Sequence, residues 1–381
     1  MTVGAPMLHL SLLAGSTIPV PLPAPLAARF LSATVTESDS GPSVFALRFD
    51  AGRAGVASAL DTAPLRASPI SAFARVVVVV RFGAVPQVLM DGFVTQVELV
   101  PGQEPGSATL TAIGEDVTFL LDREEVDTEH PAMTDVAIVQ KVLARYAGQR
   151  IAPIVVPPPV ADPALPIEYI PTQQDTDLGL LRALAAGHGY VCYAIPGPAP
   201  GSSGIYWGPP VRAGRPQPAL SVDLGPVTNV TQVSFRQEAM APMFVAGVVQ
   251  DDRTGRTVPV RTEASLRPPL SALPLWATRR GDVRRRRLRD SGISAVTAFA
   301  RAQVRVDSAV DAVVAEGSLD GARYGSLLRP RALVGVRGAG WSHDGLWYVR
   351  RVVHELSAGS YQQRFTLCRD GYGSTIPVVV T

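Results

Sequence analysis

Cysteine is nearly missing from this chain of 381 residues, and lysine more so: Cys192, Cys368 and Lys141 are the whole supply. Two cysteines exclude a disulfide framework, and both stand in β-prone runs, which predicts reduced, packed thiols as in a cytoplasmic product. Surplus charge is lacking too. Thirty-five basic residues against 33 acidic ones leave +2, without the basic excess of a general nucleic-acid binder. No signal sequence is expected in the opening stretch, because its first basic residue, Arg29, follows the apolar, proline-rich run that would have to come after a positive segment. No run approaches the roughly 20 uninterrupted apolar residues of a membrane helix. A Gly-x-Ser-x-Gly elbow is absent as well, since Gly201-Ser202-Ser203-Gly204 reads as a flexible loop.

What is present is the composition of a globular protein, 46% hydrophobic and 18% charged, long enough for two or three domains with separate cores. Nearly all its positive charge is arginine, which suits planar, bidentate pairing at contacts between subunits. The most informative stretch runs from Gly321 to Asp370. Leu333–Val336, Leu346–Leu356 and Tyr361–Cys368 read as three strands of a meander, turned at Ser342–Gly345 and Ser357–Ser360, where glycine supplies the positive φ of a tight hairpin. Tyr361, Gln363, Phe365 and Leu367 alternate with Gln362, Arg364, Thr366 and Cys368, the pattern of an antiparallel strand with one wet or partner-facing side.

The same pattern stands earlier. Asp91-Gly92 opens a strand with Val94, Val97, Glu98 and Leu99, followed by a Pro/Gly turn and by Ala108–Ile113, closing near Asp116. Asp344-Gly345, Val349, Val352, Glu355-Leu356 and Phe365–Asp370 repeat it, a spacing too long for a stacking solenoid and suited to a duplicated β-domain. Met7–Leu12, Phe30–Thr36, Val44–Phe49 and Arg75–Phe82 complete the first copy. Five valines, Val76–Val80, predict a strand covered on both faces, and His9 an exposed strand residue. Asn229–Phe235 and Met243–Gln250 begin the second copy. Helices are expected over Asp135–Tyr146, capped by Thr134, over Asp175–Ala186, and over Ser294–Val304, before a strand at Val310–Ala315 or a helix continuing through Val314. Val155–Pro171 reads as a proline-rich extended link and Ala194–Gly204 as a hairpin loop. Asp251–Asp290 reads as a polar, mobile insertion. The fold class is therefore mainly β with a few α-helices (α+β): a first β-domain over 1–130, a connecting α/β domain over 131–225, and a second β-domain over 226–381 with an insertion around 251–290.

Candidates for chemistry are thin. Gly335-x-x-Gly338-x-Gly340 lacks the order of a phosphate loop and enters a hairpin, where no helix N-terminus follows. His343-Asp344 and His354-Glu355 pair imidazole with carboxylate but have no third ligand at metal spacing, and they read as exposed polar strand ends. Adjacent acids at Glu115-Asp116 and Asp122–Glu125 read as solvated. No nucleophile, base and oxyanion donor come together, so no enzyme, cofactor or metal is expected. Arg284, Arg285, Arg286 and Arg287 form the one charge run; without interleaved aromatics they read as a solvated loop facing acids of a neighbouring subunit. Arg323, Arg329, Arg331, Arg350 and Arg351 are candidates for intersubunit salt bridges or a polar lumen, with Leu327, Leu333, Val349 and Val352 as core.

GARYGSLLRPRALVGVRG, DGLWYVRRVVHEL, YQQRFTLCRD and the segment Asp175–Leu184 followed by Gly189-Tyr190-Val191-Cys192-Tyr193 resemble the late control D proteins of phages. Those are baseplate hubs of contractile injection systems, similar to the N-terminal half of VgrG spikes. The resemblance covers most of the chain from about Met90 onward. It implies two related β-barrel-like tube domains joined by a small α/β insert, and a homotrimer whose six modules fit a hexameric tail tube to a trimeric spike. The implied partners are the tail tube or tube-initiator protein, a separate spike protein, docked on the tail Ile376–Val380, and other baseplate components, with no membrane span and no specific nucleic acid. The particle would assemble in the bacterial cytoplasm. Two other classes stay open: a cell-wall-degrading enzyme of the tail tip with its site on Asp251–Asp290, and a nucleic-acid-binding module using Arg284–Arg287.

Overall fold

Alternating apolar and polar residues put most of this chain into strands in a computed structural model, which describes residues 8–16, 18–52, 69–104, 107–158, 170–251, 254–290 and 292–375. Thirteen strands form one sheet. Read from one edge, its order is Val230–Gln237, Val313–Asp320, Ser360–Arg369, Gly345–Ser357, Phe30–Ser38, Val44–Asp50, Ala108–Asp116, Val85–Pro101, Arg75–Phe82, Leu8–Gly15 and Val20–Pro21. Leu333–Arg337 also pairs with Gly345–Ser357, and Gln217–Ser221 lies beside it.

One six-strand arrangement occurs twice in this sheet. The first copy runs Phe30–Ser38, Val44–Asp50, Ala108–Asp116, Val85–Pro101, Arg75–Phe82, Leu8–Gly15. The second runs Val230–Gln237, Val313–Asp320, Ser360–Arg369, Gly345–Ser357, Leu333–Arg337, Gln217–Ser221. Only the last pairing differs, antiparallel in the first copy and parallel in the second. Two irregularities recur as well, while the slip between Val78 and Val79 of the first copy has no counterpart where Leu333–Arg337 pairs with Gly345–Ser357. Each opening strand slips one residue, between Phe30 and Ser32 and between Val230 and Gln232. Each long strand slips between Val94 and Gln96 and between Val349 and Arg351. Bulges sit where they do for a reason of local twist, so their recurrence is a stronger sign of kinship than strand order alone.

The two copies are joined by hydrogen bonds. Gly345–Ser357 pairs through its first residues with Leu333–Arg337 and, from Arg351 to Ser357, with Ser38 to Ser32 of the first copy. Two cores lie beneath, one around Phe45, Leu47, Phe49 and the valines, the other around Trp347, Val352, Phe365 and Leu367. Leu327, Leu356 and Tyr361 of the second copy reach into the first core. The valine run is covered on both faces within the chain: Val76, Val78 and Val80 enter the main core, while Val77 and Val79 pack against Leu13 and Val88. His9 is exposed on its strand.

Helices Asp135–Ala144 and Asp177–His188 pack with Val191–Pro196, Ser203–Gly208 and Ile151–Val155 around Trp207. Both are capped by threonine, Thr134 accepting from Ala137 N–H and Thr176 from Gly179 N–H, and the second stops at Gly189 with φ 65°. The second helix starts two residues later than its sequence suggests, because Thr172–Thr176 pairs as a strand with Glu125–Glu129.

Two expectations need correction. Asp251–Asp290 is not a mobile loop in its described part: Thr257–Thr262 and Arg284–Arg287 flank Met243–Gln250 in a separate three-stranded sheet. Met243–Gln250 therefore belongs to this small unit and not to the second β-domain. Helix Ala295–Ser308 covers the sheet, burying Ala298, Ala302 and Val306 against Val245, Val249 and Val260. That helix ends before Val310, and the strand follows as Val313–Asp320, which removes the long-helix alternative. Ile376–Val380 and most of Val155–Pro171 lie outside the described residues.

Candidate functional site: a buried junction beneath a polar sheet face

Where the two copies meet, the sheet buries charge. Glu37, on Phe30–Ser38, is 2% exposed and His354, on Gly345–Ser357, is 0% exposed. Arg329 Nη1 donates to Glu37 Oε1 and Oε2 at 3.1 and 3.2 Å and to Leu89 O at 2.9 Å. His354 Nε2 lies 3.3 Å from Glu37 Oε2, and His354 Nδ1 lies 2.8 Å from Tyr361 Oη. Burial alone would raise the Glu37 carboxyl, but the Arg329 guanidinium and His354 bring it down to about 2. Burial lowers the pKa of His354 despite Glu37, and raises that of Tyr361 well above the usual phenol. The junction thus holds a fixed carboxylate between a guanidinium and a neutral imidazole. His354 is no exposed strand end: a core-facing position of a strand shared by both copies leaves it no water. His343, the other candidate, is half-buried against Phe235, with ring centroids 4.3 Å apart.

Arg331 clamps a second corner. It has φ 64°, donates to Ala194 O at 3.1 Å and to Ser38 O, and lies 4.0 Å from the Tyr193 ring centroid. One guanidinium therefore ties the connecting α/β part to both copies. Asp91 does similar work at the far side, accepting from Arg75 Nε and Nη2 at 2.7 and 2.8 Å and from Ser203 Oγ at 2.9 Å. The Nη1 and Nη2 groups of both Arg329 and Arg331 donate inside one chain.

The opposite face of the sheet is polar across the junction. In paired register it carries Ser234, Glu316, Thr366, Arg351 and Ser38 in one row. The next row holds Gln232, Ser318, Arg364, Val353, Thr36 and Val44, and Glu98, Thr111, Arg48 and Ser32 continue the face through the first copy. Arg364 pairs with Glu355, and Arg236 with Glu316 at 2.8 Å. A groove of about 620 Å³ lies between Arg351, Arg364, Glu316 and Ser234. Arg351 is exposed on this face, whereas Arg350 occupies the bulge and reaches Asp311 at 3.7 Å. Arg323 is exposed and donates to Pro226 O at 2.8 Å.

Arg284–Arg287 lie on a strand parallel to Met243–Ala246, so successive side chains alternate between its faces and form no single basic patch. Their neighbour Arg280 pairs with Glu263 at 3.2 Å. The sequence-level search missed Glu37, Arg48, Arg236 and Arg364. The alternation Gln362-Arg364-Thr366 carried the signal for the last, and nothing local distinguished the others. Cys192 and Cys368 are buried, and burial pushes the Cys192 thiol up to about 12 and the Cys368 thiol well above its usual value. Among the described residues no three His, Cys, Asp or Glu side chains gather at metal-binding distance, and no helix is long and apolar enough to cross a membrane.

Comparison with solved structures shows what this architecture is. The chain superposes on the 43 kDa tail protein of prophage MuSo2 from Shewanella oneidensis with a TM-score of 0.63 at 17% identity, covering 96% of this chain and 99% of that one. It has the fold of phage tail proteins. A tail protein from Neisseria meningitidis MC58 gives a TM-score of 0.62 at 13% identity, over 95% and 97% of the two chains. The Escherichia coli c3393 protein, a component of the type VI secretion system described as structurally similar to T4 bacteriophage tail proteins, gives 0.55 at 14% identity, over 98% and 80%. VgrG complexes share the fold as well. No protein-family model and no curated protein matches the chain by sequence. The resemblance to baseplate hubs seen in the sequence is therefore met at the level of the fold, with two related β-barrel-like domains and few helices.

Proposed function

We propose that this protein is a structural hub of a phage tail or contractile injection baseplate, in which three copies close into a ring of six related β-modules. The observation that carries the reading is the doubled six-strand arrangement, bulges included, already joined edge to edge within one chain. A chain that pairs its two modules by backbone hydrogen bonds needs only to repeat that pairing between chains to build a ring. Such interfaces are heterologous and ring-closing. The ring presents six similar modules to a hexameric tail tube and three identical chains to a separate trimeric spike. Its polar face, with Arg351, Arg364, Glu316 and Arg48, lines the passage, and the apolar cores lie outside it. The domains are a first β-domain over 1–130, a connecting α/β domain from 131, and a second β-domain up to 381 that takes Gln217–Ser221 as its edge strand and holds the small unit 243–308 as an insertion. Arg323 and the Arg284–Arg287 strand face neighbouring baseplate proteins. The role is mechanical, assembled in the bacterial cytoplasm, and calls for no turnover: the buried ion pairs at the junction resist shear and catalyse nothing. Mass measurement of the purified chain in solution, with low-resolution imaging, tests this. A threefold particle with a central opening is expected. A monomer at every concentration would sink the reading.

A further inference from the structure

The junction inside the chain dictates a second junction that the chain cannot make with itself. Val230–Gln237 stands at one end of the sheet, and among the described residues it pairs only with Val313–Asp320. Glu238 N–H donates inward to Ala312 O at 2.7 Å, so by alternation Gln237 and Phe235 turn their backbone groups outward. The second open edge belongs to Val85–Pro101. Beyond Val94, which still bonds Ala74 and Phe73, this strand pairs, among the described residues, only with Ala108–Asp116. Gly102 N–H donates inward to Ser107 O at 2.6 Å, leaving Val97 and Leu99 turned outward. Both edges are exposed to solvent.

These edges are the counterparts of the two strands that meet at the internal junction. Superposing the bulges maps Leu31 on Thr231 and Arg350 on Thr95. At the internal junction Val353, three residues past its bulge, faces Thr36, five past its own. The same steps from Thr95 and Thr231 lead to Glu98 and Arg236. The next pair, His354 with Val35, maps on Leu99 and Phe235. We infer that Val230–Gln237 of one copy adds antiparallel to the outer edge of Val85–Pro101 of a second copy, with Glu98 opposite Arg236 and Leu99 opposite Phe235. This deepens the ring reading above and rests on it.

The register was set by the bulges alone, yet it brings an exposed carboxylate across from an exposed guanidinium on the polar face. On the core face it brings together Leu99 and Phe235, both partly buried at the margins of their own cores. Opposite charges and apolar pairs directly across a sheet each stabilise it. A slip by one residue would place Glu98 against Phe235 or Gln237 and forfeit both matches. Pro101 has no N–H to give on the outer edge and ends the ladder there.

The test is a pair of cysteines at the closest cross-strand position. E98C/R236C in the full chain is expected to cross-link on mild oxidation into covalent multimers up to a closed ring, because facing Cα atoms in such a pair lie about 4.5 Å apart. Each single variant is expected not to cross-link, and the buried native thiols stay out of the reaction. Separately, E98R and R236E are each expected to weaken assembly about fivefold, and E98R/R236E to regain most of it. Circular dichroism of each variant confirms that it is folded. If the E98C/R236C protein keeps the wild-type trimer mass but forms no cross-link, the pairing inferred here is wrong while the ring survives. If E98C/S234C or E98C/E238C, each two residues out of register, cross-links instead, the register is wrong. If the wild-type chain is monomeric throughout, both the ring and this junction fall.

Discussion

Glu37 shows how much of the assembly rests on single buried charges. Its carboxylate gains from Arg329 and His354 what it loses by leaving water, and removing one partner strands the others. Glu37→Gln is expected to destabilise the fold by ~3 kcal/mol, read as a lower midpoint in chemical denaturation. A variant as stable as wild type would show that the cluster relaxes to admit water. His354 adds a pH dependence whose sign follows from its lowered pKa. The unfolded chain takes up a proton on this imidazole below pH 6.5 and the folded chain does not, so stability is full above that value and falls as pH drops. Glu37 acts in the same direction but lower, from 4.5 toward about 2. His354→Gln is expected to flatten the loss of stability that sets in as pH falls below 6.5. An unchanged slope would assign the effect to His130 or His343, whose pKa values burial also lowers.

Elements obey local rules wherever the sequence states them. Thr134, Thr176 and Ser294 each cap a helix, and Ser294→Ala is expected to cost about 1 kcal/mol, because Thr297 N–H loses its acceptor at 3.1 Å. A thermal midpoint within error of wild type would mean that another group takes over the cap. The strands of the C-terminal meander, its turns at Gly345 and Gly359, and the inward set Tyr361, Gln363, Phe365 and Leu367 were all legible, since alternation and glycine act within a few residues. Arg284–Arg287 were not. Four arginines read as solvated loop by charge, whereas pairing with Met243–Ala246 makes them a strand, and only the tertiary partner supplies that. His354 failed for the same reason. Its neighbour in sequence, Glu355, is on the wet face, and the groups that bury it, Glu37 and Tyr361, come from other strands.

At the scale of the whole molecule the doubled arrangement makes a prediction that needs no mutation. Amides at the internal junction, such as Val35 and His354, sit between paired strands in every copy and are expected to exchange slowly with solvent deuterium at any protein concentration. Val97, Leu99, Phe235 and Gln237 occupy equivalent positions on edges that one chain leaves open. Their amides are expected to exchange rapidly in dilute protein and to slow by about 100-fold once copies associate, a gain of ~3 kcal/mol in local opening. Amides of Arg285 and Arg287, on a strand outside the doubled unit, are expected to exchange alike in both conditions. Protection that appeared throughout the molecule on association would mean a folding transition coupled to assembly. Protection confined to the two edges would mean that a preformed edge meets its counterpart, and the internal junction would then be the template for the external one.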